Sequence, residues 1–486
     1  MSTEHLYEAL CAGHPFSFWL DAGAGAADGF SYLGTGDELV VQGDASGIRA
    51  SGAPATGGGQ IVTVADIGAY VRQRFTPHSQ PGHWRPSLGG FAPGWVGFLG
   101  YEWRADASST TPAPPSAGDV KHGASHAPAK PEAAFLHVTR LLVVDHAART
   151  LAIVWRGDDE GEGWAEDVAA SLETGSIGST STSTSTSTST STSRSAGERA
   201  AATDRKRPEP VWRHGRAAYR VLIDRCRASI GRGDAYQLCL TNRIDVPGVF
   251  DPLEVFRTLR RTSPTHRGGL LRFGDLSLVS ASPEKFLGLD RTGRIEVRPI
   301  KGTRPRSSDA LRDGELADDL RASAKERAEN LMIVDLMRND VGRVSALGSV
   351  RVDTLFDVES YAQVHQLVST VSGQLADGCD AVDVLASTFP AGSMTGAPKQ
   401  SAIDILGGLE GAPRGLYAGA FGLIGADGTL DLSMVIRSVV IDARGASVGA
   451  GGGITWSSDA AAEVDEMVLK ARAPLAALGV SAHPPR

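Results

Sequence analysis

Short runs of alternating apolar and polar residues, separated by glycines, fill the chain as far as Trp155, and this period of two predicts antiparallel strands. Phe16–Asp21 (FSFWLD), 29–33 (GFSYL) and 38–41 read as the first strands. The stretch 90–102 (GFAPGWVGFLGYE) mixes aromatics with glycines that allow close backbone approach, the composition of a packed sheet edge. Residues 140–145 and 150–155 form a hairpin about 146–149.

The alternation lapses between Gly157 and Pro210. Residues 179–193 alternate serine and threonine without a break, and such a tract cannot bury enough surface to offset its ordering entropy, so 157–210 reads as a disordered insert. Residues 105–131, rich in Ser, Pro and Ala, read as a surface loop.

From Trp212 the pattern is dense. Residues 214–232 carry Ala218, Leu222, Cys226 and Ile230 at helical spacing. Residues 234–246 alternate as a strand whose Gln237, Cys239 and Thr241 share a polar face, the mark of a wall that lines a wet site. Asp251 and Pro252 open a helix as N-cap and first-turn proline. Hairpins at 269–280 and 286–300 deliver the chain to RPIKGTRPR at 298–306, with Lys301 at a strand end. One helix is predicted over 311–338, with Glu326 and Glu329 on one face. A strand at 364–371 carries His365. The glycine-rich loop 389–398 runs into a helix starting near Gly396, an arrangement suited to holding an anion. Strands at 417–424 and 430–441 follow, the second interrupted by Arg437, which needs an anionic partner in an apolar run. Residues 449–453 (GAGGG) read as a second backbone-exposing turn, and Ser458 or Asp459 caps a last helix with Glu463, Glu466 and Lys470 on one face. The chain thus divides into an N-terminal region 1–156, an insert 157–210 and a C-terminal region 211–480.

Composition narrows the partners. Hydrophobic residues make up 41% of the 486, ample for a core, and a formal charge of -8 argues against nucleic acid or an anionic membrane surface, either of which needs a basic face. Cys11, Cys226, Cys239 and Cys379 lie far apart without ligand-like spacing and read as buried thiols of a reducing compartment. No signal-peptide pattern or membrane-length apolar run is present, so a cytoplasmic location is expected.

Taken alone, RPIKGTRPR reads as a solvated basic loop. Two glutamate pairs at i, i+3 beside glycine-rich loops change that reading, because carboxylates suit a hard cation such as Mg2+ and a site with few protein ligands leaves room for a substrate carboxylate. Lys301, Arg437, Lys470 and the glycine amides suit a polyanion. A small carboxylate substrate fits both halves.

YQLCLTNR (236–243), SPEKFL (282–287), RPIKGTRPR (298–306), AENLMIVDLMRNDVGRV (328–344), VHQLVSTVSG (364–373), AGSMTGAPK (391–399), YAGAFG (417–422) and GAGGGITWSSDAAAEVDEMVLKA (449–471) resemble, in order, the motifs of the chorismate-utilising enzymes. The N-terminal region matches more loosely through FWLD, GWVGFLGYE and PEAAFLHVTRLLVVD. The resemblance implies an α+β fold, two large stacked antiparallel β-sheets with helices outside, and Mg2+-dependent chemistry on chorismate. Gln237 stands where isochorismate and salicylate synthases have a water-activating lysine, which implies ammonia as nucleophile. Lys301 stands where anthranilate synthases typically have alanine, and resembles the aminodeoxychorismate synthase component I branch, which aminates chorismate towards 4-aminobenzoate and folate. No GxCxG amidotransferase elbow is present, so a separate glutamine amidotransferase subunit is the expected ammonia donor.

The same resemblance assigns roles. Lys301 is expected to attack C2 of chorismate while Glu284 protonates the departing 4-hydroxyl. Glu329 and Glu466 match Mg2+ ligands, supported by Glu326 and Glu463 through the metal's waters. Gln237, Thr303, Ser393, Tyr417, Arg437, Lys470 and the amides of Gly451, Gly452 and Gly453 match substrate-contacting positions, and His365 matches a histidine beside the ring. Residues 263–266 (SPTH) replace the Asn-Pro-Ser-Pro-Tyr of tryptophan-inhibited anthranilate synthases, so feedback inhibition there is not expected. The alternatives are an anthranilate synthase component I or a non-catalytic chorismate- or tryptophan-binding subunit.

Overall fold

The structure, a computed structural model, describes residues 2–42, 48–52, 60–62, 67–72, 84–85, 94–103, 131–156, 159–173, 209–361 and 363–485. In chain order the N-terminal elements are α1 (Thr3–Leu10), β1 (Phe16–Asp21), β2 (Phe30–Gln42), β3 (Ile48–Gly52), β4 (Gln60–Val62), α2 (Ile67–Arg72), β5 (Trp84–Arg85), β6 (Gly94–Leu99), β7 (Ala133–Asp145), β8 (Thr150–Arg156) and α3 (Asp159–Glu173). Then come β9 (Val211–Trp212), α4 (Arg216–Gly231), β10 (Gln237–Pro247), α5 (Pro252–Thr262), β11 (Arg267–Phe273), β12 (Leu276–Ser282), β13 (Lys285–Leu289), β14 (Arg294–Val297) and β15 (Ile300–Pro305). The remainder is α6 (Ala310–Ala322), α7 (Ala324–Gly342), β16 (Arg351–Ser360), β17 (Val364–Gln374), α8 (Ala381–Thr388), β18 (Gly396–Ala397), α9 (Lys399–Glu410), β19 (Ala420–Gly425), β20 (Leu430–Met434), β21 (Ser438–Asp442), β22 (Gly445–Ile454) and α10 (Ala460–Ala477).

These strands form one continuous antiparallel network, which runs β10-β22-β21-β12-β11-β1-β2 and turns through β7 into β6-β19-β20-β13-β14-β17. The turn is made by β2, whose register with β7 shifts at Thr35/Gly36 and Gly36/Glu38, because a bulge bends a strand and lets it pass between layers. The two halves therefore stack face to face. Phe18, Phe98, Phe273, Leu278, Phe421 and Val440 fill the space between them, and the Phe98 and Phe273 rings lie 5.9 Å apart.

Helices cover both outer faces. Tyr219, Ile223, Phe256, Leu406, Met467 and Leu475 pack on the half that holds β10 and β22, and Ile333, Val334, Met337 and Leu385 pack on the half that holds β14 and β17. The α+β architecture read from the motifs is the one observed, with its two halves joined through β2 and β7.

Several boundaries differ from the sequence expectation. The strands expected at 29–33 and 38–41 are one, β2, since a bulge reads as a gap in the alternation. The glycine-aromatic stretch is an interior strand, β6, paired on one side with β7 and on the other with β19; residues 90–93 lie outside the described residues. Within the supposed insert, 159–173 is the helix α3, because Trp164, Ala165, Val168 and Leu172 form an apolar stripe, with Val168 in the core. The Ser/Thr tract and 105–130 lie outside the described residues.

The helix expected over 311–338 is two. Ser323 is extended (φ -61°, ψ 110°); its N–H closes α6 on Leu320, and its hydroxyl caps α7 at the Glu326 amide. The helix placed near Gly396 starts at Lys399, because Gly396–Ala397 pairs with β10 as β18. The strand 430–441 is interrupted at Val435, Ile436 and Arg437, the last at φ 52°. The expected turn at 449–453 lies within β22, fully paired with β10. Among the described residues no helix is long and apolar enough to cross a membrane.

Candidate active site

The strand ends, the loop before β18 and the facing sides of α7 and α10 enclose a cleft of about 1850 Å³. Lys301 reaches it because β15 changes register against β17 between Ile300 and Thr303. Gly302 takes up the bulge at φ 85°, where a Cβ would stand 3.0 Å from the Glu326 carboxyl carbon. Glu284 enters from the β12–β13 corner, its amide bonded to Ser282 Oγ and its carbonyl accepting from Met434 N–H. Only 6% exposed, its carboxyl is pushed up to about 7 by burial, against the opposing pull of the Lys301 charge, the Ser393 hydroxyl and Lys470. Ser393 Oγ makes no bond of normal hydrogen-bond geometry, so its approach to Glu284 is a weak polar contact.

The glutamate pairs face each other from α7 and α10. Glu326, Glu329, Glu463 and Glu466 all line the cleft, and the Lys325 ammonium stands 3.9 Å from Glu329 and 3.6 Å from Glu463. Burial raises the Glu329 carboxyl, with Lys301 and Lys325 opposing and Glu326 and Glu463 reinforcing. Burial likewise raises Glu463, although Ser458 donates to it at 2.8 Å. Burial pushes Glu466 up too, but Lys470, bonded to it at 2.6 Å, more than offsets this and leaves the carboxyl below its ordinary value. One ammonium thus stands between two pairs of carboxylates. Among the described residues no three acidic, histidine or cysteine side chains converge at metal-ligand distance.

The opposite wall is cationic. Lys470 Nζ donates to the Gly451 carbonyl at 3.0 Å, and Arg437 Nη1 reaches the Lys470 carbonyl at 3.4 Å. Burial lowers the Arg437 guanidinium, and no carboxylate lies within ion-pair distance of it among the described residues. Tyr417 and Glu466 act on it electrostatically from a greater distance. Thr303, Ser393, Tyr417, Gly451, Gly452 and Gly453 complete this surface. The glycines are required by close approach: a Cβ on Gly449 would enter the Tyr417 ring, and one on Gly453 would collide with Gln237 Nε2.

Two expected positions lie deeper than the others. Gln237 is 1% exposed and sits behind Gly453 rather than on the cleft wall, with Oε1 unpartnered. His365 is 2% exposed, its ring between Ser360 Oγ at 2.8 Å and Asp313 Oδ1 at 3.0 Å. Its neighbours on β17, Val364 and Gln366, line the cleft, and so do its cross-strand partners Arg304 and Ser360. Gln366 and Lys325 are among the lining residues that motif reading passed over. The position of Gln366 was available from the period of two, and that of Lys325 from its place one turn before Glu329.

Residues 28–476 match the chorismate binding enzyme family. The chain belongs to that family. It is 39% identical over 501 residues to an aminodeoxychorismate synthase of Streptomyces griseus, covering 97% of this chain and 62% of the relative. It is 38% identical over 397 residues to the anthranilate synthase component 1 of Streptomyces coelicolor, covering 81% of this chain and 74% of the other. The anthranilate synthase component I structure from Streptococcus pneumoniae superimposes with a TM-score of 0.70 at 26% identity, covering 91% of each chain. The Escherichia coli menaquinone-specific isochorismate synthase MenF shares the fold at a TM-score of 0.64 and 15% identity, over 98% of this chain and 91% of that one. The chain spans 62% and 63% of the length of the two Streptomyces synthases that match nearly all of it.

Proposed function

We propose that this member of the chorismate binding enzymes is the component I of an aminodeoxychorismate synthase, converting chorismate and ammonia to 4-amino-4-deoxychorismate. The observation that carries the reading is Lys301 in a bulge at the cleft floor, opposite a buried Glu284 held near pH 7. The names of the Streptomyces relatives support the same reaction.

Lys301 as the neutral amine attacks C2 of chorismate, both ring double bonds shift, the C4 hydroxyl departs as water with the Glu284 proton, and the surplus proton on the adduct nitrogen passes to the Glu284 carboxylate. Ammonia then adds at C4, both double bonds return, and the C2–N bond breaks with Glu284 protonating the leaving Lys301 amine and recovering a proton from the new C4 ammonium. Two displacements in place of one is the gain of covalent catalysis. A carboxyl with a pKa of about 7 is protonated often enough to act as acid and regains its proton readily. Arg437 and Lys470 bind the substrate carboxylates, with Gly451, Gly452 and Gly453 offering backbone to the ligand. Gln237 acts from behind Gly453, orienting the approach of ammonia.

Mg2+ would be held by Glu329 and Glu466, with Glu326 and Glu463 in support, and when bound supplies charge neutralisation for a substrate carboxylate. Ammonia comes from a glutamine amidotransferase, and the enzyme works in the cytoplasm. The nearest rival, anthranilate synthase, is disfavoured by Lys301 in PIKGT.

Purified chain incubated with chorismate, Mg2+ and ammonium should accumulate 4-amino-4-deoxychorismate by mass analysis, and Lys301→Ala should abolish it. Anthranilate from the wild-type chain would transfer the reading to the rival branch.

A further inference from the structure

Arg414 lies outside the cleft and is buried on every side. Its side chain is 2% exposed and forms a two-point ion pair with Glu410, itself 3% exposed, through Nε to Oε2 at 2.8 Å and Nη2 to Oε1 at 2.8 Å. Nη1 donates to the Met394 carbonyl at 2.6 Å, and Nη2 also donates to the Cys239 carbonyl at 2.8 Å. The guanidinium lies 4.2 Å over the Tyr101 ring. Glu102 accepts from the Arg414 amide at 2.7 Å and the Gly415 amide at 3.0 Å, and Glu410 accepts from Thr241 N and Oγ1.

The atoms chosen by this guanidinium are informative. Met394 adjoins Ser393, Cys239 lies two residues along β10 from Gln237, and Arg414 itself precedes Tyr417 by three. A buried ion pair alone is a poor source of stability, since apolar replacement of both partners is often neutral. Neutralising Glu410 also uses only part of the donor fork. The remaining donors span two elements that a lysine ammonium could not bridge together. Cys239 N–H in turn donates to Thr395 O at 2.7 Å, so the clamp and this bond fix the separation of the Ser393 loop and β10.

We propose that Arg414, paired with Glu410, is a positioning residue that sets the spacing of the Ser393 loop, β10 and Tyr417, and so places the side chains that surround the reacting end of the substrate. For catalysis this rests on the aminodeoxychorismate synthase reading; the spacing itself does not. Arg437 and Lys470, the anion-binding residues, are not bonded to this clamp. Loss of the clamp therefore affects turnover more than binding.

The test is Arg414→Lys in the full chain, read by amide exchange and steady-state kinetics, beside Arg260→Lys, which perturbs a different buried pair with Asp21. Expected are faster exchange at the amides of Cys239 and Thr395, and a kcat lower by about 100-fold, the scale of a 1 Å misplacement. The KM for chorismate should stay within about threefold. Arg260→Lys should lower the melting temperature without changing kcat. Should Arg414→Lys not fold, Glu410→Met with Arg414→Met removes both charges together and takes the same readouts. Unchanged exchange at Cys239 and Thr395, or kcat per folded molecule within about threefold of wild type, would overturn the proposal. A wild-type chain that makes no 4-amino-4-deoxychorismate would count against the functional reading alone, and the exchange data would still decide the role of Arg414.

Discussion

Glu284 and Lys301 share the cleft, and the Lys301 ammonium is the largest charge opposing the burial that lifts Glu284 to about 7. The acid is thus protonated below neutrality and ionised above it. With Glu284 as general acid, kcat/KM should fall roughly tenfold per pH unit above pH 7 from this group. Lys301→Met removes the opposing charge, so an NMR titration of the Glu284 carboxyl carbon should show its midpoint moving upward. A downward shift would mean that another group controls the acid.

The same residue predicts a stability change with a definite sign. The folded pKa of Glu284, about 7, lies above its ordinary 4.5, so its favourable contribution is complete below pH 4.5 and is lost as pH rises through 7. At pH 8 the chain holds a buried carboxylate that Glu284→Gln would remove. That variant should be more stable by about 3 kcal/mol at pH 8, with little gain at pH 4, in urea titrations. Its turnover should fall by about 10² to 10⁴. Equal stability at both pH values would show that the carboxyl is better solvated than its burial implies.

The family and the lining of the cleft were legible because motif residues far apart in the chain arrive at one place: Glu284 from a strand corner, Lys301 from a bulge, Glu329 and Glu466 from facing helices. What was not legible was direction. Nothing in GAGGG distinguishes a turn from a strand crowded by Tyr417 and Gln237, because the obstructing side chains come from elsewhere in the chain. The break at Ser323 was visible as Ser-x-x-Glu, a helix-start signal masked by good helix formers on either side. The helix at 159–173 was hidden by its neighbours, whose low complexity dominated the reading of that whole stretch.

His365 and Gln366 separate a buried hydrogen-bonding role from a lining one. His365→Ala removes two buried hydrogen bonds and should destabilise by about 1–3 kcal/mol, leaving the chorismate KM close to wild type. Gln366→Ala opens space on the cleft wall, and should raise KM while changing stability by about 0.5 kcal/mol or less. Denaturant titration and steady-state kinetics on the two variants separate the roles, and exchanged phenotypes would reverse them.

Lys325 makes the metal proposal measurable without turnover. Its ammonium stands between Glu329 and Glu463, and its positive charge also falls within reach of Glu326 and Glu466. An ammonium and Mg2+ compete for these carboxylates, so the lysine should stabilise the metal-free chain and weaken metal binding together. In Lys325→Met, the melting temperature without Mg2+ should drop, because facing carboxylates lose their counter-charge. The Mg2+ affinity measured by calorimetry should rise about tenfold, equivalent to about 1.4 kcal/mol of removed competition. Added salt should shrink the difference, since the lysine side chain is 50% exposed and screened. Weaker Mg2+ binding in the variant would make Lys325 a supporter of the metal site rather than its competitor, and no Mg2+ binding in either chain would remove the glutamate pairs from metal chemistry.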